Sequence, residues 1–120
     1  MPDDHVVNEY GMTEMTSQFY DDALRRAALG LPAGPRRKAS PPWVRTLVVD
    51  PFTMTPARFG RTGVLCHFDL GNLDSVMALQ TADLGVADEM GFEILGRAAG
   101  AEARGCSLAV EELLDAQRRR

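Results

Sequence analysis

The sequence predicts an α+β fold: a mostly antiparallel β-sheet with flanking helices. Three observations carry the prediction. From Trp43 to Leu95, runs rich in β-branched and aromatic residues are separated by glycine- and proline-containing turns. Before them, Phe19, Tyr20, Ala23, Leu24, Ala27 and Ala28 recur at helical spacing. After them, Val110, Leu113, Leu114 and Gln117 follow the same period, with Arg118, Arg119 and Arg120 at the end that favours cations.

The elements follow in order. His5-Val6-Val7-Asn8 reads as a short strand feeding a loop over Tyr10–Glu14. In the helix over Phe19–Ala28, Asp21 and Asp22 fall in the first turn, Arg25 and Arg26 come later, and Gly30 is the stop. Residues 30–42 contain Pro32, Pro35, Pro41 and Pro42 around Arg36-Arg37-Lys38, and read as a flexible, basic, Pro-rich loop. Strand residues 43–49 stop at Asp50-Pro51. A loop holding Pro56 and Gly60 leads to the strand Gly63–Leu70. There alternation puts Val64, Cys66, Phe68 and Leu70 on the core face, and His67 and Asp69 on the other. A strand around Val76–Gln80 precedes Thr81-Ala82-Asp83-Leu84-Gly85. The turn signal Asp88-Glu89-Met90-Gly91 then introduces the strand Phe92–Leu95. The sequence has no internal repeat.

With 120 residues and an ordinary apolar fraction, one packed domain is expected. The net charge of −4 and the clustering of basic residues as Arg36-Arg37-Lys38 and Arg118-Arg119-Arg120, both read as solvated, argue against a nucleic-acid partner. Cys66 and Cys106 form neither a metal-type spacing nor a disulfide framework. No leading charged-then-apolar segment and no apolar run of membrane-spanning length occur, so a cytoplasmic protein without a membrane span is expected.

The residues richest in chemistry are Tyr10-Gly11-Met12-Thr13-Glu14. They combine a ring that can stack on a base, a glycine permitting close backbone approach, a hydroxyl suited to phosphate and a carboxylate suited to Mg²⁺. Each has a plainer alternative. Tyr10 can be ordinary core, and Thr13 with Glu14 can start a helix. Asp83 can cap a turn before Leu84-Gly85, and Arg97 can pair with Glu93 on one strand face. Cys66 reads as buried and inert. Cys106 follows Arg104-Gly105 at the start of the last predicted helix, where a cation and a helix N-terminus favour thiolate; its alternative is a small buried hydrophobe. His5 and His67 lack partners at ligand spacing and read as non-catalytic, His67 facing a site through Asp69 at most.

The order Tyr10–Glu14, Thr81–Gly85, Gly96-Arg97 resembles the adenylate-forming superfamily of acyl- and aryl-CoA ligases, luciferases and peptide-synthetase adenylation domains. The ending Gly96–Leu108 looks most like the acyl-protein synthetases, and the resemblance spans Asn8–Leu114. It implies the C-terminal part of such an enzyme's large domain, with ATP and Mg²⁺ as cofactors. Tyr10 would stack on adenine beside Gly11, Thr13 would bond the α-phosphate, and Glu14 would hold Mg²⁺. Asp83 would accept the ribose hydroxyls, Arg97 would add charge near ribose and phosphate, and Cys106 would carry the acyl group as a thioester. The implied substrate is a carboxylic, fatty acid; the implied protein partner is an acyl reductase or acyl donor. The sequence departs from the superfamily pattern in three places. Ala99 stands where an acidic hinge residue is usual, Lys38 is the single lysine, and no Ser/Thr/Gly-rich phosphate loop is present. Residues 1–120 are therefore expected to be one C-terminal fragment, inactive alone, with the phosphate-loop and acyl-binding region upstream. An aryl- or phenylacetate-CoA ligase-like fragment and a non-enzymatic interaction module are the alternatives.

Overall fold

The computed structural model describes residues 2–98. The last predicted helix and Cys106 lie outside the described residues. A short 3₁₀ turn, Asp3–His5, opens the chain. Seven strands follow: β1 (Glu9–Tyr10), β2 (Phe19–Asp21), β3 (Lys38–Ala39), β4 (Val44–Val49), β5 (Gly63–Asp69), β6 (Ala78–Asp88) and β7 (Gly91–Arg97). One helix, α1 (Ala23–Ala28), lies between β2 and β3. All pairings are antiparallel, in one seven-stranded sheet of order β1-β2-β3-β7-β6-β5-β4. The mostly antiparallel α+β expectation is met.

Several boundaries differ from expectation, each for a physical reason. The expected strand at His5–Asn8 is displaced to Glu9–Tyr10. Phe19–Asp21 does not begin a helix. Phe19 is fully buried in the sheet, and Tyr20 and Asp21 pair with Ala39 and Lys38. Helix α1 therefore starts only at Ala23 and buries none of its residues. It does end as expected, with Gly30 at φ 67° just beyond Leu29. Within the loop expected at 30–42, Lys38-Ala39 forms a strand joining β2 to β7. Thr81–Gly85 is not a turn either, because β6 runs unbroken to Asp88 with a bulge at Leu84/Gly85.

The sheet is rolled. Strands β2 and β5 have three strands between them, so a flat sheet would hold them about 19 Å apart. Yet the rings of Phe19 on β2 and His67 on β5 lie 4.9 Å apart, centre to centre. Only strong coiling brings the two ends together, so that one face becomes an interior. That interior holds Met15, Phe19, Val44, Val48, Leu65 and Phe92. Full burial of side chains of this size stabilises by about 1.5–3 kcal/mol each. Two glycines permit the curvature. A Cβ on Gly85 would sit 2.6 Å from Leu65 Cδ2, and one on Gly91 (φ 142°) would collide with the carbonyl of Lys38.

The face assignment of β5 is the main correction. Leu65, His67 and Asp69 are each 0% exposed, whereas Phe68 is 37% and Leu70 63% exposed. The core face therefore takes the polar residues. Cys66 is buried as expected, on the opposite face, and burial pushes its thiol up.

Candidate functional site

The site grows from the last residue of β1. Tyr10 sits in the rolled interior against Phe19 (5.7 Å), His67 (5.7 Å) and Phe92 (6.0 Å), measured between ring centres. Its hydroxyl leaves that cluster and donates to Asp83 Oδ2 at 2.6 Å. Asp83 lies on β6 directly opposite Arg97 of β7, whose Nε is 3.6 Å from Asp83 Oδ1. Arg97 is largely exposed and Asp83 only slightly so, which places the pair at the rim of the interior. Burial, then the hydrogen bond and charge of Asp83, hold the Tyr10 phenol protonated, well above its ordinary range. Three segments that are remote in sequence thus meet at one carboxylate. Arg97 pairs with Asp83 rather than with Glu93, and Asp83 caps no turn.

Behind Tyr10 stands His67. Its Nε2 is 3.4 Å from Tyr10 Oη, and its Nδ1 is 2.9 Å from Thr46 Oγ1 on β4. Burial lowers its pKa from 6.5 to about 4, against the pull of Asp83 and Asp69 in the other direction. The consequence for stability has a definite sign. Between pH 6.5 and about 4 the unfolded chain takes up a proton here that the folded chain refuses. Stability is therefore lost as pH falls through that window, by about 3 kcal/mol in total. Urea unfolding at pH 7 and pH 4.5 checks this, and equal stabilities at the two pH values would contradict it.

Thr13 and Glu14 lie in the loop joining β1 to β2, both exposed, with Thr13 Oγ1 donating to Glu14 Oε2 at 3.1 Å. They form a turn and start no helix. Among the described residues, no hydrogen bond links them to Asp83 or Arg97. Gly11, Met12 and Thr13 line an open hollow of about 570 Å³ together with Glu9 and Gln18. The loop is held from below. Met15 is buried, Asn72 Nδ2 donates to the Glu14 carbonyl at 2.9 Å, and Ser17 donates twice to Asp69, through N (3.1 Å) and Oγ (2.9 Å). Trp43 Nε1 donates to Ser17 Oγ from the turn just before β4. Among the described residues no three His, Cys, Asp or Glu side chains gather into a metal cage. Glu14 is an exposed carboxylate, the type of group that Mg²⁺, where it binds, shares with phosphate oxygens.

The basic triplet is not a solvated segment. Arg36 donates to Asp21 Oδ2 (2.8 Å) and to the carbonyls of Val6 and Asp3, while Arg37 pairs with Asp88. Lys38 is buried and donates from Nζ to the carbonyl (2.9 Å) and side chain of Asn8, 4.0 Å from Asp21. Burial pushes its pKa down, while Asp21 pulls it back up. This cluster ties the segment before Tyr10 to β2 and β3. The motifs therefore missed His67, Thr46, Asp69, Asn72 and Lys38. The single available signal was the alternation of His67 and Asp69 with Leu65, which reads equally well from either face.

The rolled antiparallel sheet, with three motif segments meeting at or beside its rim, resembles a portion of the adenylate-forming enzymes. The chain is similar to members of that superfamily, as a counterpart of their C-terminal part. In sequence it is similar to the long-chain-fatty-acid–luciferin-component ligase of Aliivibrio fischeri, 23% identical over 118 residues, which cover 91% of this chain and 28% of that protein. In fold it is similar to apo MatB from Rhodopseudomonas palustris, with a TM-score of 0.57 and 25% identity over 78% of this chain and 21% of that one. It is also similar to the ATP-bound RpMatB-BxBclM chimera B3, with a TM-score of 0.54 and 26% identity over 77% of this chain and 20% of that one. The chain thus spans between a fifth and three-tenths of the length of the proteins it matches. No family model matches it. No helix among the described residues is long and apolar enough to cross a membrane.

Proposed function

We propose that this chain carries half of the nucleotide site of an ATP-dependent carboxylate ligase of the acyl-protein synthetase kind. The observation that supports it most is the meeting of Tyr10, Asp83 and Arg97 at one carboxylate. A carboxylate offers about four acceptor positions. Tyr10 and Arg97 approach one oxygen each, which leaves lone pairs for two ribose hydroxyls. Gly11, next to Tyr10, lines the hollow where a base would lie. Thr13 Oγ1 would turn its proton from Glu14 to an α-phosphate oxygen, freeing Glu14 to hold Mg²⁺. Arg97, exposed and always charged, would neutralise the phosphate side. MgATP, when bound, supplies the activation that converts a carboxylate to an acyl-adenylate with release of pyrophosphate. Cys106, as thiolate, would attack that mixed anhydride, form a thioester and release AMP. A fatty acid is the substrate class, and an acyl reductase or acyl donor the protein partner.

Two measurements test this. Titrating the labelled chain with AMP and Mg²⁺ should shift the amide signals of residues 10–14, 83 and 97, and Asp83→Ala should abolish those shifts. Incubating a full-length homologue with MgATP and a fatty acid should leave a hydroxylamine-labile mass on the cysteine that matches Cys106. Acyl transfer retained when that cysteine is replaced by serine would remove Cys106 from the mechanism. Direct transfer to CoA without acylated protein would favour a CoA ligase.

A further inference from the structure

The hydrogen bonds behind Asp83 have a direction. An ionised carboxylate only accepts, so the 2.6 Å bond is donated by the Tyr10 phenol. With its one proton committed there, Tyr10 Oη can only accept from His67, across 3.4 Å, and His67 Nε2 must carry hydrogen. A neutral imidazole protonated on Nε2 has a bare Nδ1, which accepts from Thr46 Oγ1 at 2.9 Å. Thr46 Oγ1 then accepts from Ser40 Oγ at 3.2 Å. The hydroxyls of Ser40 and Thr46 can turn either way, so Asp83 alone sets the order. The opposite tautomer would present a bare Nε2, a second acceptor competing with Asp83 for the phenol proton.

We propose that His67 is a positioning residue of the nucleotide half-site: as the neutral Nε2–H tautomer it leaves Tyr10 one acceptor, Asp83, and so fixes both the tyrosine ring and the carboxylate it touches. This rests on the reading of Asp83 as the ribose acceptor. Ribose hydroxyls would donate to the same carboxylate, so their arrival keeps every proton of the series where it stands. The site is organised before its ligand comes. The groups that face His67 are Tyr10 from β1, Thr46 from β4, Asp69 from its own strand and Asp83 from β6, while Phe19 and Phe92 pack around its ring. Both acids favour a charged ring and burial opposes it; burial prevails, and the ring stays neutral at pH 7.

Long-range ¹H–¹⁵N correlation spectra of the histidine-labelled chain read the tautomer directly. His67 is expected to be neutral and protonated on Nε2 at pH 7, with AMP and Mg²⁺ or without them. Asp83→Asn keeps the shape but lets residue 83 donate, so it should shift His67 toward the Nδ1–H tautomer. Tyr10→Phe keeps a stacking ring but removes the hydroxyl; it should mix the tautomers and weaken AMP binding by roughly tenfold, the scale of one charge-assisted hydrogen bond. A wild-type His67 that is charged or Nδ1-protonated at pH 7, with AMP bound, overturns the positioning role alone. So does a Tyr10→Phe chain with unchanged tautomer and affinity. Failure of AMP to bind a wild-type chain that has the Nε2–H tautomer overturns the nucleotide reading, and the positioning role with it.

Discussion

Replacing Asp69 by alanine is expected to destabilise the chain by roughly 3 kcal/mol or more, among the largest effects of any single change. Asp69 is fully buried at the end of β5, and its carboxylate accepts from Ser17 N, Ser17 Oγ and Gly71 N at 2.9–3.1 Å. Alanine removes the shared acceptor and leaves both the N–H and the hydroxyl of buried Ser17 without it, each costing about 1–3 kcal/mol when unsatisfied, while exposed Gly71 N–H can turn to water. Asparagine keeps the volume and one acceptor oxygen, but turns an NH₂ toward N–H donors, so it should cost less than alanine and more than nothing. Urea denaturation of the three proteins gives the order. The loss also reaches the candidate site, because Ser17 anchors the loop that carries Thr13 and Glu14. An Asp69→Ala chain as stable as the wild type would show that the loop is held by Met15 and Asn72 alone.

The second large effect concerns Asp21, whose carboxylate is fully buried between Arg36 and Lys38. Burial by itself would raise its pKa. The hydrogen bond from Arg36, those from the N–H groups of Ala23 and Asn8, and the charge of Lys38 outweigh it, and the net shift is downward. Its contribution is therefore present above the ordinary carboxylate range, near pH 3.9 on a reference of about that value, and lost as pH falls through the lower folded value. Asp21→Ala leaves buried Lys38 without its counter-charge and should cost about 3–5 kcal/mol at pH 7. The double variant Asp21→Leu with Lys38→Met should recover much of that loss, because it removes both buried charges at once. Thermal or urea unfolding of the three variants decides the point. A double variant as unstable as Asp21→Ala would mean that Asn8, which binds both groups, is the true centre of the cluster.

These two acids also show where sequence reading stops. The strands at Val44–Val49, Gly63–Asp69 and Gly91–Arg97 were legible because β-branched runs and turn residues are local signals. Gly30 as a helix stop was legible for the same reason. The positions of Phe19 and Asp21 were not. Their spacing with Ala23 and Ala27 is truly helical, and only pairing with β1 and β3, from elsewhere in the chain, makes them a strand. The face of β5 failed for a related reason. Counting apolar residues put Phe68 and Leu70 inside, whereas His67 and Asp69 are buried because Tyr10, Thr46, Ser17 and Gly71 arrive to satisfy them. Lys38 was misread because a basic triplet among prolines carries no trace of Asp21 and Asn8 waiting for it. Of the residues singled out beforehand, Tyr10, Asp83 and Arg97 come together, and Thr13 and Glu14 stand on the adjoining loop. The supporting residues behind them are tertiary information, invisible in any local window.

The loop between β1 and β2 has one further property, concerning the order of events in folding. Strands β4 to β7 are successive neighbours joined by hairpins, so they close over short sequence separations. The bonds that seat the loop and Tyr10 span far more: 52 residues from Ser17 to Asp69, 58 from Glu14 to Asn72 and 73 from Tyr10 to Asp83. Each needs a partner already placed on β5, on β6 or in the turn between them, and each carries the entropy of a long closure. The four-strand meander is thus expected to serve as a template onto which the N-terminal ribbon zips afterwards. On that order the candidate site is completed after the sheet, and amides of β4 to β7 should gain protection from exchange before those of Tyr10 and Ser17.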